Sequence, residues 1–528
     1  MFLIMSGAYV GQELESEFGK IPPSFLPLGN RRLFQHQLAL APEGVELLLS
    51  IPESFQISSI DKAWLDNHNV NVLAIPDGLS LGASLVAALN ISGHGLSKPL
   101  HVLYGDTLYR KLPVGDDLAS ISHAKDSYNW AVLTDDSAHW LKDSNTQTTN
   151  DSQRIIDGYF KFSNPRELIK NITQSEWNFI EGLNRYHSSV GLTPVESDNW
   201  LDFGHVNTYY RSKAQFTTQR AFNELTINAK WIEKSSSKDS KIAAEANWFS
   251  ELPAELRGNI PQYLGANHKD GKTSYRLEYL HLTALNELFV FSKLPGHIWN
   301  QILTSCIEFL SLCQESKAPN SNSGNSLDAL FSQKTKQRLD EYCQSLNLSL
   351  DQQWKFNESE SVSIQEVLTE SDKHLPKNPT SDSVLHGDFC FSNILYDFRA
   401  GKIKTIDPRG MTPNGERTIF GDIRYDLAKL SHSILGLYDW IIAGYYSVKI
   451  QEDEIFLQIA EENQHKETQQ AFIELIEKEF GLTAHNLYAM QIQLFLSMLP
   501  LHADDSSRQQ ALFANAFRLY HVLVRLKQ

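Results

Sequence analysis

The stretch LHGDFCFSNILYD, residues 385–397, decides how the C-terminal half of this chain is interpreted. It places three polar side chains, His386, Asp388 and Asn393, in one short run. The alternating apolar residues that follow are typical of a β-strand. A carboxylate and an amide at this spacing predict phosphoryl transfer, which needs a carboxylate near the attacking hydroxyl and oxygen ligands for Mg²⁺.

A β-hairpin is predicted directly after this loop. NILYD (393–397) and KIKTID (402–407) alternate as two strands around FRAG, and Gly401 supplies the turn. Asp407 then stands at the exit of the second strand, where a second metal ligand would be needed. The alternative interpretation is an Asx-rich loop whose polar side chains satisfy only backbone groups.

A lysine on a strand and a glutamate on the next helix would complete such a site by clamping nucleotide phosphates. Lys234 ends the apolar segment WIEK, and Glu245 lies in the helical pattern that follows it. The alternative is a solvated surface lysine, since Lys230 and Lys238 compete for the role. The sequence has no G-x-G-x-x-G before this strand, so the phosphate-covering loop is predicted at 221–228.

The segment HGDFCFSNILYD…KIKTIDPRG…GDIRYDLAKL resembles the aminoglycoside phosphotransferase/choline kinase family of kinase-like enzymes. The forms HGD and IDPRG, rather than HRD and DFG, carry the resemblance. It covers about 220–445, with specific motifs in 384–430. The resemblance implies a bilobal fold that uses ATP and Mg²⁺ to phosphorylate the hydroxyl of a small molecule. Asp422 and Asp426 would be structural, bonding backbone groups around the loop.

The same resemblance implies a role for each residue of the predicted site. Asp388 would be the catalytic base, and Asn393 and Asp407 would hold Mg²⁺. His386 would orient the catalytic loop rather than transfer a proton. Lys234 with Glu245 would bind the nucleotide.

The first 125 residues predict a mainly parallel sheet with helices on both faces. Segment 80–92 has helical spacing and lies between two apolar runs. Strand–helix–strand repetition of this kind is typical of α/β folds. Four runs are predicted as buried strands: 2–5, 45–51, 70–76 and 100–106.

Residues 6–37, SGAYVGQELESEFGKIPPSFLPLGNRRLFQHQ, resemble the opening of sugar-1-phosphate nucleotidyltransferases. The resemblance spans about 1–212. It implies that Gly7 and Gly11 bring backbone N–H groups to nucleotide phosphates, with CTP or UTP as candidate nucleotides. Pro23 stands where that family has a lysine.

Two carboxylates match the later elements of the same family. LYGDT places Asp106 at a strand end, and NWLDFGHVNTYYRSK (199–213) places Asp202 similarly. Two strand-end aspartates could hold one Mg²⁺ that bridges a nucleotide and a phosphorylated substrate. A simple Gly-Asp turn is the alternative for Asp106.

Composition restricts the partners of the chain. Its 528 residues carry a formal net charge of −16, which disfavours generic binding to nucleic acid or anionic lipid. The four cysteines form no C-x-x-C pair, and Cys306 and Cys313 are expected to be core residues. The N-terminal MFLIMSGAYVGQE lacks a basic n-region, so it predicts a buried strand rather than a signal peptide. We therefore expect a cytoplasmic protein without membrane insertion, and homo-oligomerisation stays open.

Together these patterns predict an α/β chain of two domains. Residues 1–212 would form a Rossmann-like nucleotidyltransferase domain. Residues 213–528 would form a protein-kinase-like domain, with an N-lobe at about 213–282 and a helical C-lobe at about 283–528. By family resemblance, a kinase product would become a nucleotide-activated precursor for capsule or other surface polysaccharide. The alternatives are an active kinase with an inactive N-terminal scaffold or sensor, and a non-catalytic nucleotide-binding regulatory module.

Overall fold

The computed structural model describes most of the chain, with gaps in several loops. The described residues are 1–93, 95–123, 131–134, 140–143, 153–197, 199–218, 224–228, 230–236, 239–269, 272–319, 327, 329–460 and 462–526. They divide into two units. One comprises Met1–Phe216 with Phe291–Lys293, and the other comprises Thr217–Val290 with Leu294–Gln528. The predicted boundary after residue 212 lies near this division and stays a prediction.

A mixed sheet forms the centre of the first unit. Four neighbouring strands are parallel, and the long strand Arg154–Phe162 runs antiparallel to its partners. The short strands Ala131–Leu133 and Leu141–Asp143 extend the sheet beside it. The predicted α/β sheet is therefore confirmed. Along the main path the strand order is Thr193–Glu196, Leu118–His123, Arg154–Phe162, Leu100–Tyr104, Phe2–Met5, Leu47–Pro52 and Val70–Ile75.

Burial explains why the parallel strands have continuous apolar sequences. All four residues of Phe2–Met5 are buried, as expected for a strand whose two faces are both covered. The helix Leu81–Ser92 begins at Ser80, whose hydroxyl accepts the Ala83 N–H. Asn164 caps the next predicted helix in the same way. The helices of this unit are Gln12–Phe18, Leu33–Leu38, Ser59–Asn67, Leu81–Ser92, Pro165–Gln174, Phe179–Ser189 and Val206–Thr218, with a 3₁₀ turn at Pro23–Phe25.

A small antiparallel sheet opens the second unit. Its strand order is Glu224–Ile227, Trp231–Ser235, Lys272–Glu278 and Tyr263–Lys269. The single strand predicted over 226–236 is wrong, because the Asn228 side chain accepts the N–H groups of Lys230 and Trp231 and turns the chain into a hairpin. The following helix is Asp239–Glu251, so Ser240 lies inside it and is not its cap.

The predicted hairpin after the catalytic loop is present. Strands Ile394–Asp397 and Lys402–Thr405 pair antiparallel, and Thr283–Ala284 pairs with the first of them. Gly401 has a φ of +62°, which is the left-handed conformation that the turn requires. A further two-stranded pair, Ser383–Val384 with Phe420–Gly421, precedes and follows this region.

Helices form most of the remaining second unit. Cys306 and Cys313 are buried in one of them, as predicted. The mobile loop predicted at 317–326 and the polar loop predicted at 140–155 lie largely outside the described residues. Among the described residues, no helix combines the length and apolarity needed to cross a membrane. The helices are Leu285–Phe291, Gly296–Glu315, Lys334–Leu346, Ile364–His374, Arg424–Ile434, Tyr438–Ile442, Lys466–Phe480, Ala484–Met498 and Ser506–Arg525.

A four-stranded sheet interrupts the region that the sequence analysis treats as helical. Strands Tyr446–Gln451 and Glu454–Ile459 form a hairpin that joins Gln353–Phe356 and Ser361–Ser363. The signal is strict alternation: every second residue of Glu454–Ile459 is buried.

Candidate active sites

A buried carboxylate fixes the backbone of the loop that carries Asp388. Asp426, in the helix Arg424–Ile434, accepts the N–H groups of His386 and Gly387 at 2.7 and 2.8 Å. Burial raises the pKa of Asp426 to about 7, and these backbone bonds oppose the rise. Gly387 has a φ of +80°, and a Cβ there would lie 2.6 Å from the Cβ of Arg409. The loop therefore requires glycine at this position.

His386 holds the shape of the loop. Its Nδ1 accepts the Asp388 N–H at 3.3 Å, so its Nε2 carries the proton and donates to the Ile406 carbonyl at 2.9 Å. The ring is buried, and burial lowers its pKa to about 4. A neutral imidazole with both nitrogens engaged orients Asp388, and at neutral pH it keeps its single proton on Nε2.

Asp388 faces the cleft between two partners. The Asn393 side-chain amide donates to its carbonyl at 2.9 Å and to Oδ2 at 3.1 Å. The Lys429 ammonium lies 2.9 Å from Oδ1, and 44% of the Asp388 side chain remains exposed. Burial alone would raise the pKa of Asp388, but Lys429 outweighs it and lowers the pKa to about 2. Asp388 is therefore ionised at every physiological pH.

Lys234 joins three segments of the second unit. Its Nζ lies 2.8 Å from Glu245 Oε2 and 3.1 Å from Asp407 Oδ1. Burial would lower the pKa of Lys234, but Asp407 and Glu245 outweigh it and raise the pKa. The Tyr275 hydroxyl donates a second bond to Glu245 Oε2 at 2.8 Å. The lysine predicted from the sequence is thus the one that the structure places beside Asp407.

Backbone packing keeps these segments together. Gly410, at the end of IDPRG, has a φ of +64°. A Cβ at this position would lie 2.2 Å from the carbonyl oxygen of Ala244, the residue before Glu245. Only glycine allows this approach.

The oxygen atoms near Asp388 fit Mg²⁺. Asp407 offers a carboxylate, and Asn393 directs its amide nitrogen to Asp388, which leaves its oxygen as the ligand atom. Among the described residues, no group of three or more His, Cys, Asp and Glu side chains could hold a metal ion. One or two protein oxygens plus phosphate and water are the usual ligands of Mg²⁺ at phosphoryl-transfer sites.

Sequence analysis missed Lys429 and Tyr275. Lys429 lies within the quoted GDIRYDLAKL, but its partner Asp388 is remote in sequence, and an isolated helical lysine gives no signal of burial. Lys429 lines a cleft of about 360 Å³, whereas Tyr275 donates to Glu245. Its lining residues are Lys241, Lys334, Arg338, Gly387, Asp388, Asp407, Pro408, Arg409, Met411, Tyr425, Lys429, Leu494, Ser497, Met498 and Leu501.

The first unit brings its two predicted aspartates together. Asp202 ends a strand that pairs with Thr107–Tyr109, directly after Asp106. A Cβ at Gly204 would lie 2.6 Å from Asp106 Oδ2 and 3.2 Å from Asp202 Oδ1, so both carboxylates converge there. Burial, and next the charge of Asp202, raise the pKa of Asp106 to about 6.

The Asp106–Asp202 pair fits a divalent cation. Oδ2 of Asp202 is buried and has no hydrogen-bond partner among the described residues. His205 Nδ1 lies 3.6 Å from it. Burial would lower the pKa of His205, but Asp202 outweighs burial and raises it. A cation between the carboxylates would relieve the repulsion that the raised pKa reports.

The two predicted glycines differ in their surroundings. A Cβ at Gly7 would lie 2.1 Å from Ile75 Cδ1, so a larger residue there would have to displace the Ile75 side chain. Gly11 is open and precedes the short helix Gln12–Phe18, whose first turn carries Glu13 and Glu15. These acids oppose phosphate binding at that helix end.

Arg32 has a structural place. It is buried and pairs with Asp61 at 3.2 Å, and it donates to the Phe25 carbonyl at 2.8 Å. It is therefore engaged by partners within the first unit.

No protein-family model and no curated protein matches the chain. Solved structures of both predicted kinds resemble it. A nucleoside-diphosphate-sugar pyrophosphorylase from Vibrio cholerae RC9 is 11% identical over 40% of this chain and 99% of its own, with a TM-score of 0.33.

Kinase structures resemble a larger share of the chain. A thermostable mutant of an aminoglycoside phosphotransferase, in ternary complex with AMP-PNP and hygromycin B, is 12% identical over 59% of this chain and 97% of its own, with a TM-score of 0.33. A glucosamine kinase bound to glucosamine, ADP and inorganic phosphate is 10% identical over 56% of this chain and 73% of its own, with a TM-score of 0.34. The predicted resemblances are thus found again among solved structures.

Proposed function

We propose that the second unit is an ATP- and Mg²⁺-dependent phosphotransferase that acts on the hydroxyl of a small molecule. The observation that carries this proposal is the position of the Lys234 ammonium, 2.8 Å from Glu245 and 3.1 Å from Asp407. A lysine held by a buried glutamate beside a metal-ligand aspartate is the arrangement that positions nucleotide phosphates in kinase-like enzymes.

In the proposed reaction the acceptor oxygen forms a bond to the γ-phosphorus of ATP, and the bond from that phosphorus to the β,γ-bridging oxygen breaks. ADP leaves, and the hydroxyl proton passes to Asp388. Mg²⁺, held by Asn393 and Asp407, would neutralise charge on the phosphate oxygens. A carboxylate with a pKa of about 2 is a weak base, which suits a loose transition state in which the hydroxyl loses its proton late. The main task of Asp388 is therefore to orient the hydroxyl.

The test is Asp388→Asn, which keeps the side-chain size and removes the charge. We expect ADP formation with an accepted alcohol to fall at least about 10³-fold. Asp351→Asn, an exposed residue of the same unit, is the matched control and should keep full activity. Wild-type protein that forms no ADP across a broad panel of alcohols, sugars and amino alcohols would favour a nucleotide-binding regulatory module instead.

A second activity is proposed for the first unit because Asp106 and Asp202 converge and Asp202 Oδ2 is buried without a hydrogen-bond partner among the described residues. These carboxylates would hold Mg²⁺ for nucleotidyl transfer from CTP or UTP to the phosphorylated product. Delivery of that product to surface polysaccharide stays a prediction from resemblance.

Pyrophosphate release from CTP or UTP, with the kinase product as co-substrate, measures this activity. Asp106→Asn should abolish it, whereas the exposed Asp66→Asn should not. An unchanged rate in Asp106→Asn would leave the kinase as the sole activity and the first unit as a scaffold or sensor.

A further inference from the structure

The cleft that contains Asp388 is strongly basic. Five cationic side chains line it, whereas its lining carboxylates are Asp388 and Asp407. This local excess is opposite in sign to the net charge of −16 of the whole chain. The five cations are Lys241, Lys334, Arg338, Arg409 and Lys429.

Two of these cations have acidic partners. Lys429 pairs with Asp388 at 2.9 Å, and Lys241 lies 3.8 Å from Glu245. The other three, Lys334, Arg338 and Arg409, have no carboxylate within 4.0 Å among the described residues. Positive charge in the cleft therefore exceeds what the nearby acids neutralise.

Lys334 and Arg338 line the same cleft as Asp388. They lie four residues apart on the helix Lys334–Leu346, so they share one face of it. Arg338 Nη1 donates to the Ser497 carbonyl at 3.1 Å, which fixes the guanidinium against the opposite helix. Lys334 Nζ lies 5.8 Å from the centre of the Tyr425 ring.

Electrostatic shifts agree with this excess charge. Burial lowers the pKa of Lys334, and the neighbouring Arg338 and Arg409 lower it further. Burial would raise the pKa of the Tyr425 phenol, but Lys429 and other cations outweigh it and lower the pKa. Like charges held close together in a partly buried cleft are unfavourable until an anion joins them.

We propose that the acceptor is itself an anion, a small molecule that carries a phosphate or carboxylate group near the hydroxyl that receives the phosphoryl group. Lys334 and Arg338 bind that anionic group, while Asp388 orients the hydroxyl. This inference deepens the proposed kinase function and rests on it. A cationic acceptor, such as an amino sugar or amino alcohol, would meet uncompensated positive charge at the same place.

The first test compares acceptors that differ only in charge. One sugar is offered in four forms: neutral, as its uronic acid, as its phosphate ester and as its amino derivative. We expect kcat/KM for an anionic form to exceed that for the neutral form at least about tenfold, with the amino form lowest. The uronic acid and the phosphate ester distinguish the two anion sources. Preference for the neutral or amino form would overturn the proposal while leaving the kinase intact.

The second test uses Lys334→Gln and Arg338→Gln. Each should raise the acceptor KM about tenfold and change the KM for ATP less than twofold. Lys336→Gln, exposed on the same helix, should leave both values unchanged. A rise in the KM for ATP without a rise for the acceptor would assign these cations to the nucleotide and overturn the proposal.

The third test does not depend on catalysis. Inorganic phosphate should raise the unfolding temperature of the wild type above that in chloride of equal ionic strength. The Lys334→Gln/Arg338→Gln double variant should lose this increase, and Lys336→Gln should keep it. Equal stabilisation of all three proteins contradicts the anion site. Absence of ADP formation with every acceptor, together with a phosphate effect that needs Lys334 and Arg338, would contradict the kinase function and retain the anion site.

Discussion

The two candidate sites compensate their carboxylates in different ways. In the second unit, Asp388 has Lys429 and Asp407 has Lys234, so the protein itself supplies the opposing charges. In the first unit, Asp106 faces Asp202, and the pKa of Asp106 rises to about 6 through burial and that repulsion. In the second unit protein cations face the carboxylates, whereas in the first unit the Asp106 carboxyl keeps its proton up to about pH 6.

The largest effect is expected when a cation that faces a carboxylate of the second unit is removed. Lys234→Met removes the nearer cation from the buried Glu245 and leaves it with the exposed Lys241 at 3.8 Å, which costs about 3 kcal/mol. Urea unfolding should show that loss, and kcat/KM for ATP should fall about 100-fold or more.

The control for this variant is Lys230→Met, which removes an exposed lysine from the same sheet region. It should match the wild type in both measurements. Equal effects of the two variants would show that Lys234 has no special place in nucleotide binding.

The first unit should show the opposite dependence on charge. The pKa of Asp106 is about 6 in the folded protein, above its ordinary value of 3.8. The folded state thus binds the proton more tightly, so this stabilisation is complete below about pH 4 and is lost as pH rises through 6. Asp106→Asn should reduce the difference in unfolding free energy between pH 5 and pH 7.5 by about 1.4 kcal/mol.

Burial also raises the pKa of Asp157, in the same unit, to about 6, so a pH dependence alone does not single out Asp106. The effect of Mg²⁺ on stability distinguishes the two residues. Millimolar Mg²⁺ should stabilise the wild type at pH 7.5 and should not stabilise Asp106→Asn. Equal stabilisation of both proteins would show that Asp106 and Asp202 do not bind the metal ion.

Lys429→Met should raise the pKa of Asp388, so that this carboxyl group becomes more like that of Asp106. Without the ammonium, burial is no longer outweighed, and the pKa of Asp388 rises from about 2 to above its usual value of 3.8. Because the ionised form is active, kcat should gain a new loss of activity on the acid side, between pH 4 and 6. A pH profile unchanged from that of the wild type would show that Lys429 does not set this ionisation.

Tyr275→Phe should have the smallest effect. It removes the hydroxyl that donates a hydrogen bond to Glu245 and leaves the Lys234 ammonium in place. We expect a loss of about 1 kcal/mol in stability and a change in the KM for ATP of less than fivefold. A larger loss of stability than that of Lys234→Met would show that Tyr275 contributes more than Lys234 to holding Glu245.

Local spacing is what made parts of this molecule predictable. The catalytic loop, its hairpin and the strands of the first sheet depend on neighbouring residues, so 385–407 and the four apolar runs indicate their own structure. Lys234 was predicted because it ends an apolar strand before a helix.

Local spacing does not indicate which residues are covered by segments that are distant in sequence. Lys429, whose side chain is 18% exposed, pairs with Asp388, and the basic residues Lys334 and Arg338 line the cleft from another helix. The side chain of Asn228 turned one predicted strand into a hairpin through two hydrogen bonds to backbone N–H groups. Such features depend on tertiary packing and on turn chemistry, which periodicity does not report.

Gly410 has a mechanical consequence. Its Cα lies against the Ala244 carbonyl with no room for a Cβ, so the backbone that carries Asp407 and the helix that carries Glu245 are in direct contact. The two acidic partners of Lys234 thus share one rigid support, and their separation is set by main-chain atoms rather than by adjustable side chains. A methyl group at position 410 would push this backbone away from the helix that carries Glu245. Asp407 and Glu245 would then separate, and Lys234 would lose its place between them.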